Sequence, residues 1–156
     1  MIHIKTNRLI LRDWLSTDID LMAEISASKV VMEYFPAISS ADETIALINK
    51  IKMHFNKYGY GLYAVERVDT SKFIGFVGLN RVGFNIPGFD NVKQPIMEIG
   101  WRLSERHWGN GFAPEAAKAV LKAAFEKFKL DEVVSFTAKL NTKSIRVMEK
   151  IGLTNK

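Results

Sequence analysis

The chain has no cysteine among its 156 residues, which excludes a disulfide scaffold, a thiol nucleophile and Cys-ligated zinc or iron–sulfur centres. No apolar run comes near the ~20 residues that a membrane-spanning helix requires, and no signal-like apolar segment follows Met1. A cytoplasmic location and no membrane partner are therefore expected. His3, His54 and His107 are scattered without metal-ligand spacing, and no Ser/His/Asp grouping stands out, so no metal site is predicted. No internal repeat or low-complexity tract interrupts the chain. What is present, 47% hydrophobic and 25% charged residues, fits one globular domain over residues 1–156 able to bury a real core. The formal charge of +5 suits a polyanionic partner, whether nucleic acid or a small phosphate-rich ligand, and charge alone does not choose between them.

Local patterns predict the order β-α-α-β-β-β-α-β-α. Arg8–Arg12 alternates like a short strand, and Ser16-Thr17-Asp18 offers caps for a helix to about Ser28. Ser39 to Glu43 opens a second helix, with Ile45, Ile48, Ile51 and Phe55 at near-helical spacing and Gly59 and Gly61 at its end. Strands follow at Leu62–Arg67 and Phe73–Leu79, joined by a polar connection of hairpin length. The stretch from Gly83 to Pro95 is too irregular for an element and too apolar for a linker, and reads as a substrate-side loop or a lid packed on the core. Met97–Leu103 is a fourth strand. Beyond it come a helix from Pro114 to about Phe128, a fifth strand over Glu132–Ala138, and a last helix that Asn141 caps and Gly152 ends. The inward positions of the Pro114 helix are Ala117, Val120, Leu121, Ala124, Phe125 and Phe128, with Lys118, Lys122 and Lys129 on the solvent side.

Residues 96–115, IMEIGWRLSERHWGNGFAPE, carry the most chemistry. A β-forming run feeds a turn with Gly109 and Gly111, and the turn opens directly into the Pro114 helix. Unpaired N–H groups and the positive end of a helix dipole favour a phosphate there. The purely conformational use of glycine in a strand-to-helix turn is the competing explanation. A P-loop is excluded, because no Gly-Lys-Ser/Thr follows the glycines.

Four ordered segments, TNRLILRDW, FIGFVGLN, EIGWRL with HWGNGFAPEAA, and SFTAKLNTKSIRVMEKIGL, resemble the GNAT N-acetyltransferase superfamily, and within it the RimJ/RimL type of ribosomal-protein N-terminal acetyltransferase. The resemblance covers nearly the whole chain. It implies an α/β (α+β) GNAT acyl-CoA N-acyltransferase fold: a central mixed, mostly antiparallel twisted sheet flanked by helices. It also implies acetyl-CoA as donor and a primary amine, on a protein N-terminus or a small molecule, as acceptor. The family's cofactor loop falls on Trp108, Gly109, Asn110, Gly111, Phe112 and Ala113, whose backbone N–H groups hold the diphosphate. Trp108 departs from the family's Gln/Arg, and Arg106 fits a second register. Arg106 and His107 either add charge to the diphosphate or are ordinary exposed loop residues.

Carried over further, the backbone of Trp101 and Leu103 holds the pantetheine arm, and that of Ile99 meets the acetyl carbonyl. Asn141 hydrogen-bonds the pantetheine, and Ser144 hydrogen-bonds or protonates the departing thiolate. Strand alternation points Met97, Ile99, Trp101 and Leu103 one way, and Glu98, Gly100 and Arg102 the other. Glu98 is the candidate general base, because an amine must lose a proton to attack and burial raises a carboxylate's pKa. A Glu98 ion-paired with Arg102 or another cation is the alternative. The family usually continues into further C-terminal strands, so the resemblance leaves two expectations: a truncated form of a longer chain, or a strand edge covered by a second copy in a homodimer. Two other classes compete. A nucleic-acid module would show interleaved cations and exposed aromatics on one face, whereas the aromatics here fall at core spacing. A catalytically silent acyl-CoA-binding module would keep the cradle without Glu98 and Ser144 chemistry.

Overall fold

In the computed structural model, which describes residues 1–90 and 94–155, alternating burial along short strands produces one sheet of six. Leu9 and Leu11 are buried while the alternate residues Ile10 and Arg12 are half-buried, so Leu9–Arg12 becomes a strand, β2. A strand that the pattern did not announce, β1 (Ile2–Lys5), precedes it and pairs antiparallel with it. The order continues with α1 (Asp18–Ser26), α2 (Ala41–Tyr58), β3 (Leu62–Arg67), β4 (Phe73–Arg81), β5 (Met97–Leu103), a 3-10 turn at Glu105–His107, α3 (Phe112–Glu126), β6 (Val133–Val134) and α4 (Thr142–Lys150). Spatial order follows chain order from β1 to β6, and every pair is antiparallel except β5 with β6. This is the mixed, mostly antiparallel sheet flanked by helices that the resemblance implied.

One face of the sheet packs on α3: Val65, Val77, Leu79, Met97 and Ile99 meet Ala116, Ala117, Val120 and Ala124. The other face packs on α1 and α2, where Ala64, Phe73 and Phe76 meet Met22, Ile25, Ile48 and Ile51. The start of α2 is fixed by reciprocal bonds, Glu43 N–H to Ser40 Oγ (3.1 Å) and Ser40 N–H to Glu43 Oε1 (3.0 Å).

Several expectations are corrected. Thr17 stands at the α1 N-cap without a side-chain capping bond. The Asp18 carboxylate instead accepts from Leu15 N–H (2.8 Å) and from the Arg12 guanidinium (2.7 and 3.1 Å). Helix α3 begins two residues before Pro114, and Phe125, expected inward, is exposed, as is Ile45 of the apolar series in α2. Strand β6 is two residues long rather than seven, because the chain turns away from β5 after Val134. Of the irregular loop after Gly83, residues 91–93 lie outside the described residues. Its Phe84 is exposed and packs at a tilt against Phe136, 5.5 Å between ring centroids.

Candidate active site

Two bonds at the ends of the β4–β5 ladder set the direction of every backbone group on β5. Val82 N–H donates to the Ile96 carbonyl (2.9 Å), and Ser104 N–H to the Ile74 carbonyl (2.8 Å). With Leu79 opposite Ile99, Val77 opposite Trp101 and Gly75 opposite Leu103 in between, the backbone groups of Glu98, Gly100 and Arg102 turn toward β4. Those of Ile99, Trp101 and Leu103 turn toward the other edge. There β6 pairs only at Met97 and Glu98. Beyond it, the Ser135 hydroxyl donates to the Ile99 carbonyl (2.9 Å), and the Trp108 indole Nε1 donates to the Leu103 carbonyl (2.9 Å). Between these two side-chain caps, the N–H and carbonyl of Trp101 and the N–H of Leu103 have no protein partner among the described residues. Unpaired groups on a strand edge inside the fold are a template for an extended, amide-bearing ligand.

The glycine turn lies at the C-terminal end of this edge. Gly109 and Gly111 hold φ at +78° and +77°, where a side chain is strained. The first α3 bond runs from Glu115 N–H to the Gly111 carbonyl (3.2 Å), so the N–H groups of Gly111, Phe112 and Ala113 are left without acceptors among the described residues. Trp108 differs from its loop neighbours: its backbone N–H is taken by the Glu105 carbonyl (3.2 Å), so the free donors begin after it. Its ring lies under the Lys143 ammonium, 4.5 Å from the centroid.

A set of residues that motif reading passed over fixes this turn. Arg8, just before β2, reaches across, donating from Nε to Glu115 Oε1 (2.7 Å) and from Nη1 to the Asn110 carbonyl (2.9 Å). Its backbone N–H and the Thr6 hydroxyl both donate to Glu115 Oε2 (3.0 and 2.6 Å). The guanidinium groups of Arg8 and Arg67 lie over the Phe112 ring at 4.4 and 4.9 Å from its centroid. Burial pushes the Glu115 carboxyl upward, but the bonds from Thr6 and Arg8 outweigh it and hold the group below the usual range. Beside the turn, His107 is depressed by burial and then by Arg67, Lys72 and Arg106. That repulsion marks a positive field where an anion would sit. The alternation of TNRLILR signals a strand and nothing of this clamp.

At the start of α4, Asn141 Oδ1 accepts from Ser144 N–H (3.2 Å), a capping bond that leaves its amide donors without a partner among the described residues. The Ser144 hydroxyl accepts from the Trp101 indole Nε1 (3.3 Å), and its own proton has no acceptor among the described residues. The structure thus brings Trp101, Asn141 and Ser144 together beside the open edge, with the glycine turn adjoining. Glu98 is not among them, because it projects from the opposite face of β5 beside Asn80 of β4. Burial pushes its carboxyl up, and Asn80 pulls the other way by a smaller amount. No ion pair forms between Glu98 and Arg102.

An open strand edge, a glycine turn at a helix start and an amide-bearing second helix end suit an acyl-CoA ligand, and the chain belongs to the acetyltransferase (GNAT) domain family, matched over residues 8–154, whose members are acetyl-CoA-dependent acyltransferases. It is 34% identical over 123 residues to the uncharacterized protein YkkB of Bacillus subtilis (strain 168), across 79% of this chain and 67% of that one. With the uncharacterized N-acetyltransferase YnaD of the same bacterium it shares 28% over 152 residues, 97% of this chain and 82% of that one. The solved acetyltransferase from Agrobacterium tumefaciens str. C58 superposes with a TM-score of 0.81 at 30% identity, over 96% of this chain and 81% of the other.

Proposed function

We propose that the chain, as a single cytoplasmic domain, transfers an acetyl group from acetyl-CoA directly to a primary amine in a ternary complex, as an enzyme of the RimJ/RimL type. The observation that carries this is the unpaired Trp101 backbone, lying between the glycine turn and the Asn141–Ser144 helix end. The residues present fit the cofactor: the free N–H groups of Gly111, Phe112 and Ala113 suit a diphosphate, and the backbone of Trp101 and Leu103 with the Asn141 amide suits the pantetheine arm. Acetyl-CoA supplies an activated acyl group. Ile99, Trp101 and Leu103 bind and orient it, and Gly109 and Asn110 shape the turn. The Ser144 hydroxyl, held by the Trp101 indole, keeps a proton available for the thiolate. Glu98, raised by burial on the far face of the same strand, takes the proton from the amine directly or through water.

Solved proteins of the same fold support the donor. A spermidine N-acetyltransferase from Vibrio cholerae, TM-score 0.73 at 22% identity, is in complex with CoA and spermine. A ribosomal L7/L12 acetyltransferase, RimL, with TM-score 0.74 at 16% identity, is in complex with CoA. Calorimetric titration with acetyl-CoA, followed by mass-spectrometric screening of acetyl transfer to peptide N-termini and small amines, tests the reading. Saturable binding with transfer supports it; binding without transfer to any amine marks a silent acyl-CoA module; no binding overturns it.

A further inference from the structure

On the α1/α2 face of β5 stands a cation with no counter-ion among the described residues. Arg102 forms no ion pair with any described carboxylate. Its guanidinium lies over the rings of Phe35 (4.7 Å to the centroid) and Phe76 (5.2 Å), and Nη1 donates to Ser26 Oγ at 3.2 Å. Its Nε is sealed from water and has no hydrogen-bond partner among the described residues. Aromatic faces attract the charge but cannot accept its N–H groups, which lie in the guanidinium plane. The edge carrying Nε therefore lacks an in-plane acceptor, and an unsatisfied buried donor on a charged group is costly. Burial alone depresses the guanidinium from its usual range, which fits a cation lacking a compensating anion.

The surroundings say what would satisfy it. Glu98, Gly100 and Arg102 share one face of the strand, and a Cβ built on Gly100 would meet nothing within 4 Å. Open space thus separates a raised carboxylate from an unpaired guanidinium. Phe35, which covers Arg102, is itself exposed and lies in the irregular connection between α1 and α2, where it can turn aside without breaking an element. We infer that Arg102 binds a carboxylate carried by the acceptor, so that the substrates are primary amines bearing an acid group several bonds from the nitrogen. A guanidinium edge matches a carboxylate in two parallel bonds. Glu98 and Arg102 are four residues apart, ~13 Å at ~3.3 Å per residue, which favours a spaced amino acid over an α-amino acid. A polycationic amine meets an uncompensated positive charge here and is disfavoured.

The inference rests on the proposed acetyl transfer, and one experiment separates the two. Unbranched ω-amino acids from glycine to aminooctanoate are compared with their primary amides as acceptors. Binding of each acid to the CoA-saturated protein is measured by calorimetry alongside. At an intermediate chain length the acid should exceed its amide in kcat/KM on the order of tenfold to a hundredfold, mainly through KM. Arg102→Gln should bring that ratio to about one while acetyl-CoA affinity and the thermal melt confirm a folded protein; Arg102→Lys, with the charge but not the fork, should fall between. Amides acetylated as well as acids at every length in the parent, or a preference that persists in Arg102→Gln, overturns the inference and leaves acetyl transfer standing. A parent that binds no acetyl-CoA overturns both.

Discussion

Gly111 caps α3 with φ at +77°, and only Arg8 Nη2, at 3.5 Å, lies within 4 Å of where a Cβ would stand. Space is therefore available and conformation is the obstacle: a β-branched residue there costs roughly 1–2 kcal/mol or turns the backbone away. Gly111→Val should lower the melting temperature and weaken acetyl-CoA binding at least tenfold, whereas Gly111→Asn, which tolerates the left-handed region, should keep more of both. Calorimetry showing parental affinity in a folded Val variant contradicts the cradle. Glu98 poses a question of sign. Its carboxyl is raised by burial, so the stability it contributes is fully present below the ordinary glutamate value and is lost as pH rises through the folded value. The ionised form is a cost at neutral pH, and Glu98→Gln should melt at or above the parental temperature at pH 7. Turnover should nevertheless fall by ~10² to 10⁴, with partial rescue at high pH where the amine is already deprotonated. The parent's acidic limb should lie above the ordinary carboxylate range. A pH–rate profile unchanged by the substitution places the base elsewhere.

Elements joined by short-range pattern were readable, and those held by distant partners were not. Strands β3 and β5 appear with the bounds that alternation predicted, and Ser40, Asn141 and Gly152 mark helix ends as local chemistry requires. Strand β1 escaped because two exposed residues flanking two half-buried ones carry no alternation; pairing with β2 makes it a strand. Strand β6 shrank because the Ser135 side chain, rather than a ladder bond, satisfies the Ile99 carbonyl. The clamp between Arg8, at the entry to β2, and Glu115 of α3 joins residues 107 positions apart, beyond any local periodicity. It also makes a testable claim. Arg8→Ala and Glu115→Gln should each destabilise the protein, and a double-mutant cycle should return a coupling of about 0.5–3 kcal/mol. Because Glu115 is held below its usual range, its contribution is present above the unfolded value and lost as pH falls through the folded one. Glu115→Gln should flatten that part of the acid-side stability curve. Acetyl-CoA affinity should fall with Arg8→Ala, since the Asn110 carbonyl and the Phe112 ring both lose their anchor. Additive effects in the cycle mean that the two side chains act separately.

Across the whole molecule, the question is whether any residue carries the acyl group between donor and acceptor. The chain has no cysteine. A serine would need a base in hydrogen-bond contact, and each of the three histidines is engaged otherwise among the described residues. His3 Nε2 meets Asp13 Oδ1 (2.5 Å); His54 bonds the Tyr60 carbonyl and accepts from Arg81 N–H; His107 Nδ1 faces Arg67 Nη1 (3.3 Å). Ser144, the hydroxyl beside the open edge, is held by an indole donor, which removes electron density rather than activating the oxygen for attack. The base that does stand near β5, Glu98, occupies the face opposite Ser144. These arrangements predict direct transfer with both substrates bound. Rapid quench of the protein with radiolabelled acetyl-CoA and no amine should leave the polypeptide unlabelled, and initial rates at varied donor and acceptor should give intersecting rather than parallel reciprocal plots. Stoichiometric labelling that is then discharged by added amine, together with parallel plots, would show a covalent intermediate and overturn direct transfer.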